Sequence, residues 1–308
     1  MKIYTHNFNP QSNSGPNKFT RQLFTKMLRA EMAGIVDSQQ VADIEFCLIQ
    51  QAANKIKPMV LRLDGIYFNS EQDYEKQNTP IKLTYDNSDA VIFQSQFNKE
   101  LTEHWFGPHK NSHIIHNAAD LELINSILIN DIYDKINWPW SEDKEVWSCA
   151  SSWRPHKRLS ENIKCFLEKA PKDAVFAIAG KGVTSDDVRF SSDERIYFLG
   201  ELQYQQLLCL YRRSSTFIHL AYLDHCPNVV VDAQASGCKI ICSSTGGTKE
   251  IVNYGIIVKE EEWDFSPIKL YQPPALDLDS NIIVNNKIED NNMTSCVKKY
   301  YSVMKEIL

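Results

Sequence analysis

Two aspartates, a glycine pair and a short basic run are the parts of this chain richest in chemistry. Asp224 and Asp232 stand eight residues apart in the segment DHCPNVVVDAQASG. Pro227 suits the first turn of a helix, where its missing N–H would have no partner anyway. The spacing therefore puts Asp224 on a loop and Asp232 about a turn and a half into that helix. Carboxylates held this way can grip hydroxyls at opposite ends of one ligand, and the helix N-terminus offers free N–H groups to a phosphate or a sugar hydroxyl. The plainer alternative is a capping Asp and a second one placed by chance. In STGGTKE, Gly246 and Gly247 allow backbone N–H groups close to an anion, although a Gly-Gly turn needs no ligand. AGKG, at residues 179–182, is a signal of the same weak kind. In SSWRPHKRL, the residues Arg154, His156, Lys157 and Arg158 follow a strand-like run. At the end of a strand in a doubly wound sheet they would face the ligand crevice and could neutralise a diphosphate. Elsewhere they would be a solvated basic loop.

The elements that must position these residues alternate along the chain. Residues 2–5 read as a short buried strand, and NFNPQSNSGPN as a loop. From Lys18 the residues Phe19, Leu23, Met27 and Leu28 recur at helical spacing. Strand-like runs IEFCLI, MVLRL, AVIFQS and SHIIHN follow, with helical or loop segments between them. A polar segment over 134–145 reads as a linker. The alternation then restarts with VWSCASSW, AVFAIAG, RIYFLG, STFIHLA and KIICSS as strands, YQQLLCLYRR and VVVDAQASG as helices, and Gly237 as a helix-ending residue. This predicts an α/β chain of two doubly wound domains. The boundaries are 1–140 and 141–265, with a tail over 266–308. The tail reads as loop up to a terminal amphipathic helix at 293–308, with Val297, Tyr300, Tyr301, Met304 and Leu308 on one stripe, packing back on one of the domains, with the first as a candidate.

Composition narrows the class. The 308 residues are 43% hydrophobic and 23% charged, with a net charge of -6 and no long basic run, which disfavours a nucleic-acid partner. Eight cysteines without a C-x-x-C pair sit mostly in apolar runs and read as buried thiols. No stretch reaches the ~18 apolar residues of a membrane span, and the N-terminus lacks a signal-peptide core. The expected location is cytoplasmic, with peripheral membrane contact left open.

Taken in order, these segments resemble the family 4 retaining glycosyltransferases of the GT-B fold, glycosyl transferases group 1. The resemblance covers most of the chain and is strongest over 146–258. DHCPNVVVDAQASG is similar to that family's Glu-x7-Glu segment, IICSSTGGTKEIV to its strand and Gly-Gly-x-x-Glu loop, IAGKG to its Gly-x-Gly turn, and IYFLGEL to its nucleotide-base strand. SDAVIFQSQFNKE and IIHNAAD look like the paired segments that close its first domain. The resemblance implies two Rossmann-like domains facing a central cleft, with transfer of a sugar from a nucleoside-diphosphate sugar to an acceptor hydroxyl and retention of configuration. It implies Asp224 at the donor sugar, with Lys157 and Arg154 on the diphosphate, as the catalytic residues. It implies Asp232 on the ribose hydroxyls, and Cys226, Pro227, Asn228, Gly246 and Gly247 around the phosphate and sugar. It puts the backbone of Gly200, Glu201 and Leu202 at the base, and Gly15 across the cleft. Asp64 in RLDG is the acceptor-side candidate. No metal or other cofactor is expected, since Lys157, Arg154 and helix N-termini would carry the leaving-group charge. Ser185 to Asp187, SDD, reads as an exposed turn rather than a metal motif. The acceptor is a carbohydrate, a lipid-linked sugar, a protein glycan or a small molecule.

The departures from the family pattern are specific. Both acidic positions carry Asp in place of Glu, one methylene shorter, and a misplacement of ~1 Å can cost ~100-fold in rate. The Arg that commonly precedes the Lys by five residues falls on Ser152, with Arg154 as its substitute. No His lies in register in the first-domain cleft. These departures motivate a rival, a catalytically weak GT-B protein that binds a sugar nucleotide or a partner. A GT-B sugar-nucleotide epimerase is a second rival. A nicotinamide-dependent dehydrogenase is poorer, because no G-x-G-x-x-G follows the first strand.

Overall fold

A computed structural model describes residues 1–129, 136–284 and 291–308. The first two residues of the expected linker lie outside them. The first half forms β1 (Lys2–His6), α1 (Gly15–Arg29), β2 (Gly34–Val36), β3 (Ile44–Leu48), β4 (Met59–Leu63), α2 (Tyr74–Asn87), β5 (Ala90–Phe93), α3 (Gln96–Phe106), β6 (Ser112–Ile114) and α4 (Leu121–Ile129). Its six strands are all parallel, in the order β2-β1-β3-β4-β5-β6. Helices cover both faces of such a sheet, so IEFCL and MVLRL are buried throughout and read as unbroken rather than alternating runs. The strand order reverses between β1 and β3, which opens a crevice at their C-terminal ends.

The second half forms β7 (Val146–Ala150), α5 (Leu159–Lys169), β8 (Val175–Ala179), α6 (Ser185–Val188), β9 (Ile196–Gly200), α7 (Tyr204–Arg213), β10 (Ser214–His219), α8 (Asn228–Ala235), β11 (Lys239–Ser243), β12 (Gly255–Val258), β13 (Asn281–Val284) and α9 (Met293–Glu306). The sheet order is β13-β12-β11-β10-β7-β8-β9. From β9 to β12 this is the 3-2-1-4-5-6 order of the dinucleotide-binding fold, reversing between β7 and β10. The two-sheet architecture is that of the GT-B fold.

Four expectations need correction. The tail is not loop throughout, because its Asn-Ile-Ile-Val run pairs antiparallel with β12 and caps the sheet edge as β13. Ser185–Asp187 is not an exposed turn. It opens α6, where Thr184 and Asp187 form a capping box and Asp187 is buried, accepting from Ser160 Oγ at 3.1 Å. Leu28 lies past the edge of the α1 stripe and is 65% exposed, while Phe24 takes the buried place beside Phe19, Leu23 and Met27. Leu308 at the chain end is exposed as well. Helix α9 packs Met293, Val297, Tyr300 and Met304 into the core of the first sheet, against Phe19 and Phe24 of α1. The chain therefore ends on the domain where it began. All eight cysteines are buried free thiols.

Candidate active site

The loops at the two sheet reversals face each other across a cavity of about 510 Å³. The β7 loop contributes Ser151, Ser152, Arg154 and Lys157, and the β10 loop contributes His219 and the run Asp224–Asn228. Gly15 at the start of α1, together with Arg62, Asp64, Gln94 and Asn117, closes it from the first domain.

Asp224 is the centre of the donor-domain wall. Its Oδ2 accepts from Lys157 Nζ at 2.5 Å and bonds His219 Nε2 at 2.9 Å, while Oδ1 accepts from the His225 N–H at 3.0 Å. Burial alone would raise this carboxyl, but Lys157 and His219 outweigh it and hold it well below the usual carboxylate range. Burial pushes the His219 imidazole down in spite of Asp224. At neutral pH the wall therefore presents a carboxylate at Asp224 and a neutral imidazole at His219.

Gly246 and Gly247 hold that wall from behind. The Gly247 N–H donates to the Asp224 carbonyl at 2.7 Å, and Gly246 pairs with Asp224 in an isolated parallel bridge. Gly246 has φ 79°, and a Cβ on Gly247 would collide with the His225 carbonyl oxygen. Neither glycine lines the cavity, and both back the Asp224 segment from behind rather than bordering the space directly. Gly200 is likewise not on the wall. Its carbonyl accepts from the Gly180 N–H at 2.7 Å, while the adjacent Glu201 and Leu202 do face the cavity.

The basic run divides. Lys157 and the exposed Arg154 line the cavity. Arg158 is buried behind it, paired with Glu260 at 2.7 and 3.0 Å and donating to the Pro274 carbonyl. His156 is buried against Tyr271, and burial, with Lys157 beside it, pushes its imidazole down to about 3. Neither residue can serve a diphosphate. Cys226, Pro227 and Asn228 line the cavity at the start of α8, and the Asn228 side-chain amide donates to the Gly15 carbonyl at 3.1 Å. The N-termini of α1 and α8 thus meet at the cleft.

Asp232 is not on the wall. It is 4% exposed, with Oδ2 3.3 Å from Lys18 Nζ and Oδ1 accepting from the Tyr204 hydroxyl at 3.2 Å. Of its two partners, Lys18 lines the cavity.

On the first-domain side, Asp64 Oδ1 accepts both Arg62 Nε and Nη2, while Oδ2 is buried with no partner. Arg62, 1% exposed, also donates to Tyr300 Oη and Asn117 Oδ1, each at 3.0 Å. Asn117 Nδ2 donates to the Cys226 carbonyl at 2.7 Å, so this network reaches the donor domain. His225 packs on Phe68 and Phe97, and burial pushes it down to about 4. Gly65, at φ 140°, makes room for it, because a Cβ there would lie 2.7 Å from His225 Nε2. Glu250 crosses the cleft to accept from the Gln96 and Phe97 N–H groups at 2.6 and 2.8 Å, capping α3 of the first domain.

Sequence reasoning missed Lys18, Tyr204, His219, His225, Gln94 and Asn117. His219 carries the one readable signal, a polar residue ending a buried strand five positions before Asp224. The others are brought in by contacts distant in sequence.

Residues 133–264 match the profile of the family described as glycosyl transferases group 1. This region is a group 1 glycosyltransferase domain. The group 1 domain contains Arg154, Lys157, Asp224, Asp232 and the glycine pair. Comparison with curated proteins returns no match. Solved structures similar over the whole chain include sucrose-phosphate synthase from Thermosynechococcus elongatus, at TM-score 0.66 and 12% identity over 100% of this chain and 94% of that one. Anabaena HepE in complex with UDP and glucose gives 0.65 and 13% over 99% and 100%. AviGT4, a glycosyltransferase involved in avilamycin A biosynthesis, gives 0.63 and 12% over 100% and 98%. At these identities the likeness is one of fold. Among the described residues, no helix is long and apolar enough to cross a membrane.

Proposed function

We propose that this protein transfers a sugar from a nucleoside-diphosphate sugar to an acceptor hydroxyl with retention of anomeric configuration. The observation that carries the reading is the Lys157–Asp224–His219 cluster beside the N-termini of α1 and α8, at the reversal of a doubly wound sheet. The group 1 domain around it supports the reading. So do the structures of the similarly folded HepE with UDP and with UDP-glucose.

In this reaction the bond between the anomeric carbon and the diphosphate oxygen breaks, and the diphosphate leaves with the electron pair. Lys157 and Arg154 face the space where that charge develops, and the N–H groups opening α1 and α8 add to it. The reading gives this task to the protein rather than to a metal. Asp224 sits where it can hold a hydroxyl of the donor sugar and face positive charge at the anomeric carbon. Its prior engagement by Lys157 keeps it ionised for that role. Glu201 and Leu202 offer backbone to the base, Gly15 approaches the phosphates from the first domain, and Cys226, Pro227 and Asn228 border the sugar. The incoming hydroxyl oxygen bonds to the anomeric carbon on the face from which the diphosphate departs, and its proton passes to the departing diphosphate oxygen. The unpartnered Asp64 Oδ2 on the other wall is the acceptor-side candidate to hold that hydroxyl, which can belong to a carbohydrate, a lipid-linked sugar or a protein glycan.

The test is a thermal-shift panel of UDP-, GDP- and ADP-sugars in EDTA, followed by measurement of free nucleoside diphosphate released with the donor that binds. A donor at 100 times its dissociation constant stabilises by about 2.7 kcal/mol. One donor class should shift the melt and be turned over. Binding without turnover in the presence of diverse acceptors would favour the catalytically weak reading, and donor conversion without an acceptor would favour an epimerase.

A further inference from the structure

Among the described residues, two side chains of the cavity wall carry a buried polar atom without a hydrogen-bond partner, Asp64 Oδ2 and His225 Nδ1. They come from opposite domains. Asp64 follows β4, and its side chain is 9% exposed. Its other oxygen is held by Arg62, while Gln94 Nε2 donates to its backbone carbonyl at 2.8 Å. His225 follows Asp224 in the β10 loop, and its backbone N–H stays with the donor domain by donating to Asp224 Oδ1. The ring crosses to the first domain. It packs on Phe97 and Phe68 at centroid distances of 5.4 and 6.4 Å, and against Gly65, the residue after Asp64, where a Cβ would collide with it. The imidazole therefore belongs to the wall that carries Asp64 rather than to the one that carries Asp224 and Lys157.

The pair sets the chemistry of its partner. A buried polar atom left unpaired is costly, and on a cavity wall an incoming ligand can satisfy it. Asp64 Oδ2, on a carboxylate held by Arg62, only accepts. Burial keeps the His225 imidazole neutral at neutral pH, so Nδ1 donates or accepts according to the tautomer. A hydroxyl is a neutral group that can meet both atoms, because it donates and accepts. A phosphate or carboxylate dianion or anion offers Asp64 no proton. We propose that His225 contacts the acceptor: with Asp64 it binds an uncharged, hydroxyl-bearing part of that molecule, one contact from each domain. The proposal rests on the glycosyl-transfer reading above. One loop then serves both substrates, presenting Asp224 to the donor sugar and, at the next residue, His225 to the acceptor.

The experiment is steady-state kinetics on the full chain, with the sugar nucleotide that shifts the melt as donor. The acceptor probes are glycerol and the methyl and octyl glycosides of glucose, galactose, mannose and N-acetylglucosamine, and both nucleoside diphosphate and glycosylated product are measured. Wild type, His225→Leu, His225→Asn and Asp64→Asn are compared on the best acceptor. His225→Leu keeps apolar packing on Phe68 and Phe97 and should raise the acceptor KM about tenfold, the scale of one buried hydrogen bond, with the donor KM within about twofold of wild type. His225→Asn, whose amide reaches the Nδ1 position, should recover most of that loss. Asp64→Asn, which still offers an oxygen to Arg62, should also raise the acceptor KM about tenfold. A merely structural role for His225 would move both KM values together or neither, without rescue by Asn. If His225→Leu does not fold, His225→Gln, whose amide lies beyond the Nδ1 position, carries the same expectation. An unchanged acceptor KM in a folded variant, or an equal rise in the donor KM, would overturn the proposal. Donor hydrolysis by wild type with transfer to none of these hydroxyls would overturn it too, while leaving the donor-site reading in place. A wild type that consumes no donor would overturn that reading, and this inference with it.

Discussion

Asp224 and Asp232 sit at either end of the same loop-and-helix segment, and the fold puts them in opposite electrostatic states. Burial raises the carboxyl pKa in both. At Asp224 a lysine at 2.5 Å and an imidazole at 2.9 Å outweigh it, and the group is held well below the usual range. At Asp232, Lys18 at 3.3 Å and a tyrosine hydroxyl offset only part of the burial, and Asp120 adds repulsion, so the carboxyl ends above its ordinary value. Residue type and helical register do not decide what an acid does in a cleft. The closeness of the cation and the hydrogen bonds facing it, set against burial, do.

The largest test of this contrast is Lys157→Met, which should lower kcat by about 100- to 1000-fold. A change confined to KM would mean that Lys157 binds donor and transition state alike, and that the cluster around Asp224 is no more catalytic than the one around Asp232. Next, Gly247→Ala should push the Asp224–His225 backbone forward and cost about 100-fold in rate, with a lowered melting temperature, although this glycine does not line the cavity. Retained activity would show that the Asp224 loop needs no backing.

The smallest effect is also the most direct comparison of the two acids. Asp224 has a depressed folded pKa, so its stabilisation is present above the ordinary carboxylate value and is lost as pH falls through it. Asp232 has a raised folded pKa, so its contribution is present below that ordinary value and fades as pH rises through the folded one. Melting temperatures between pH 3 and 7 should therefore show opposite slopes. The difference between Asp224→Asn and wild type should grow more negative with pH, and that between Asp232→Asn and wild type more positive, each by a few degrees. Parallel slopes would refute the contrast.

Much of the fold was legible in the chain. Largely apolar runs bounded by polar loops identified ten of the thirteen strands among the described residues, because parallel strands buried on both faces need not alternate. Three were missed: β2 has only three residues, β12 only four, and β13 lies within the polar, Asn-rich tail. Residues on the cavity wall were legible where side chains extend from loops after strands, as at Arg154, Lys157 and Asp224. Gly246, Gly247 and Gly200, expected at the donor, lie off the cavity wall and make backbone contacts behind it. Arg158 is next to Lys157 in sequence, but its left-handed backbone, φ 52°, turns it into the interior toward Glu260.

The sequence by itself determined two doubly wound sheets, a loop with an acid and a base at the switch point of the second, and the register of Asp232 inside a helix. These follow from local periodicity, turn chemistry and strand polarity, which are set by neighbours in the chain. Only the tertiary structure decided which of those side chains reach the cleft. Lys18 meets Asp232 across 214 residues and Asn117 meets Cys226 across 109, and such contacts determine which polar groups are buried, paired or left facing a ligand. Desolvation and pairing depend on the packing of whole domains, and no local pattern encodes them.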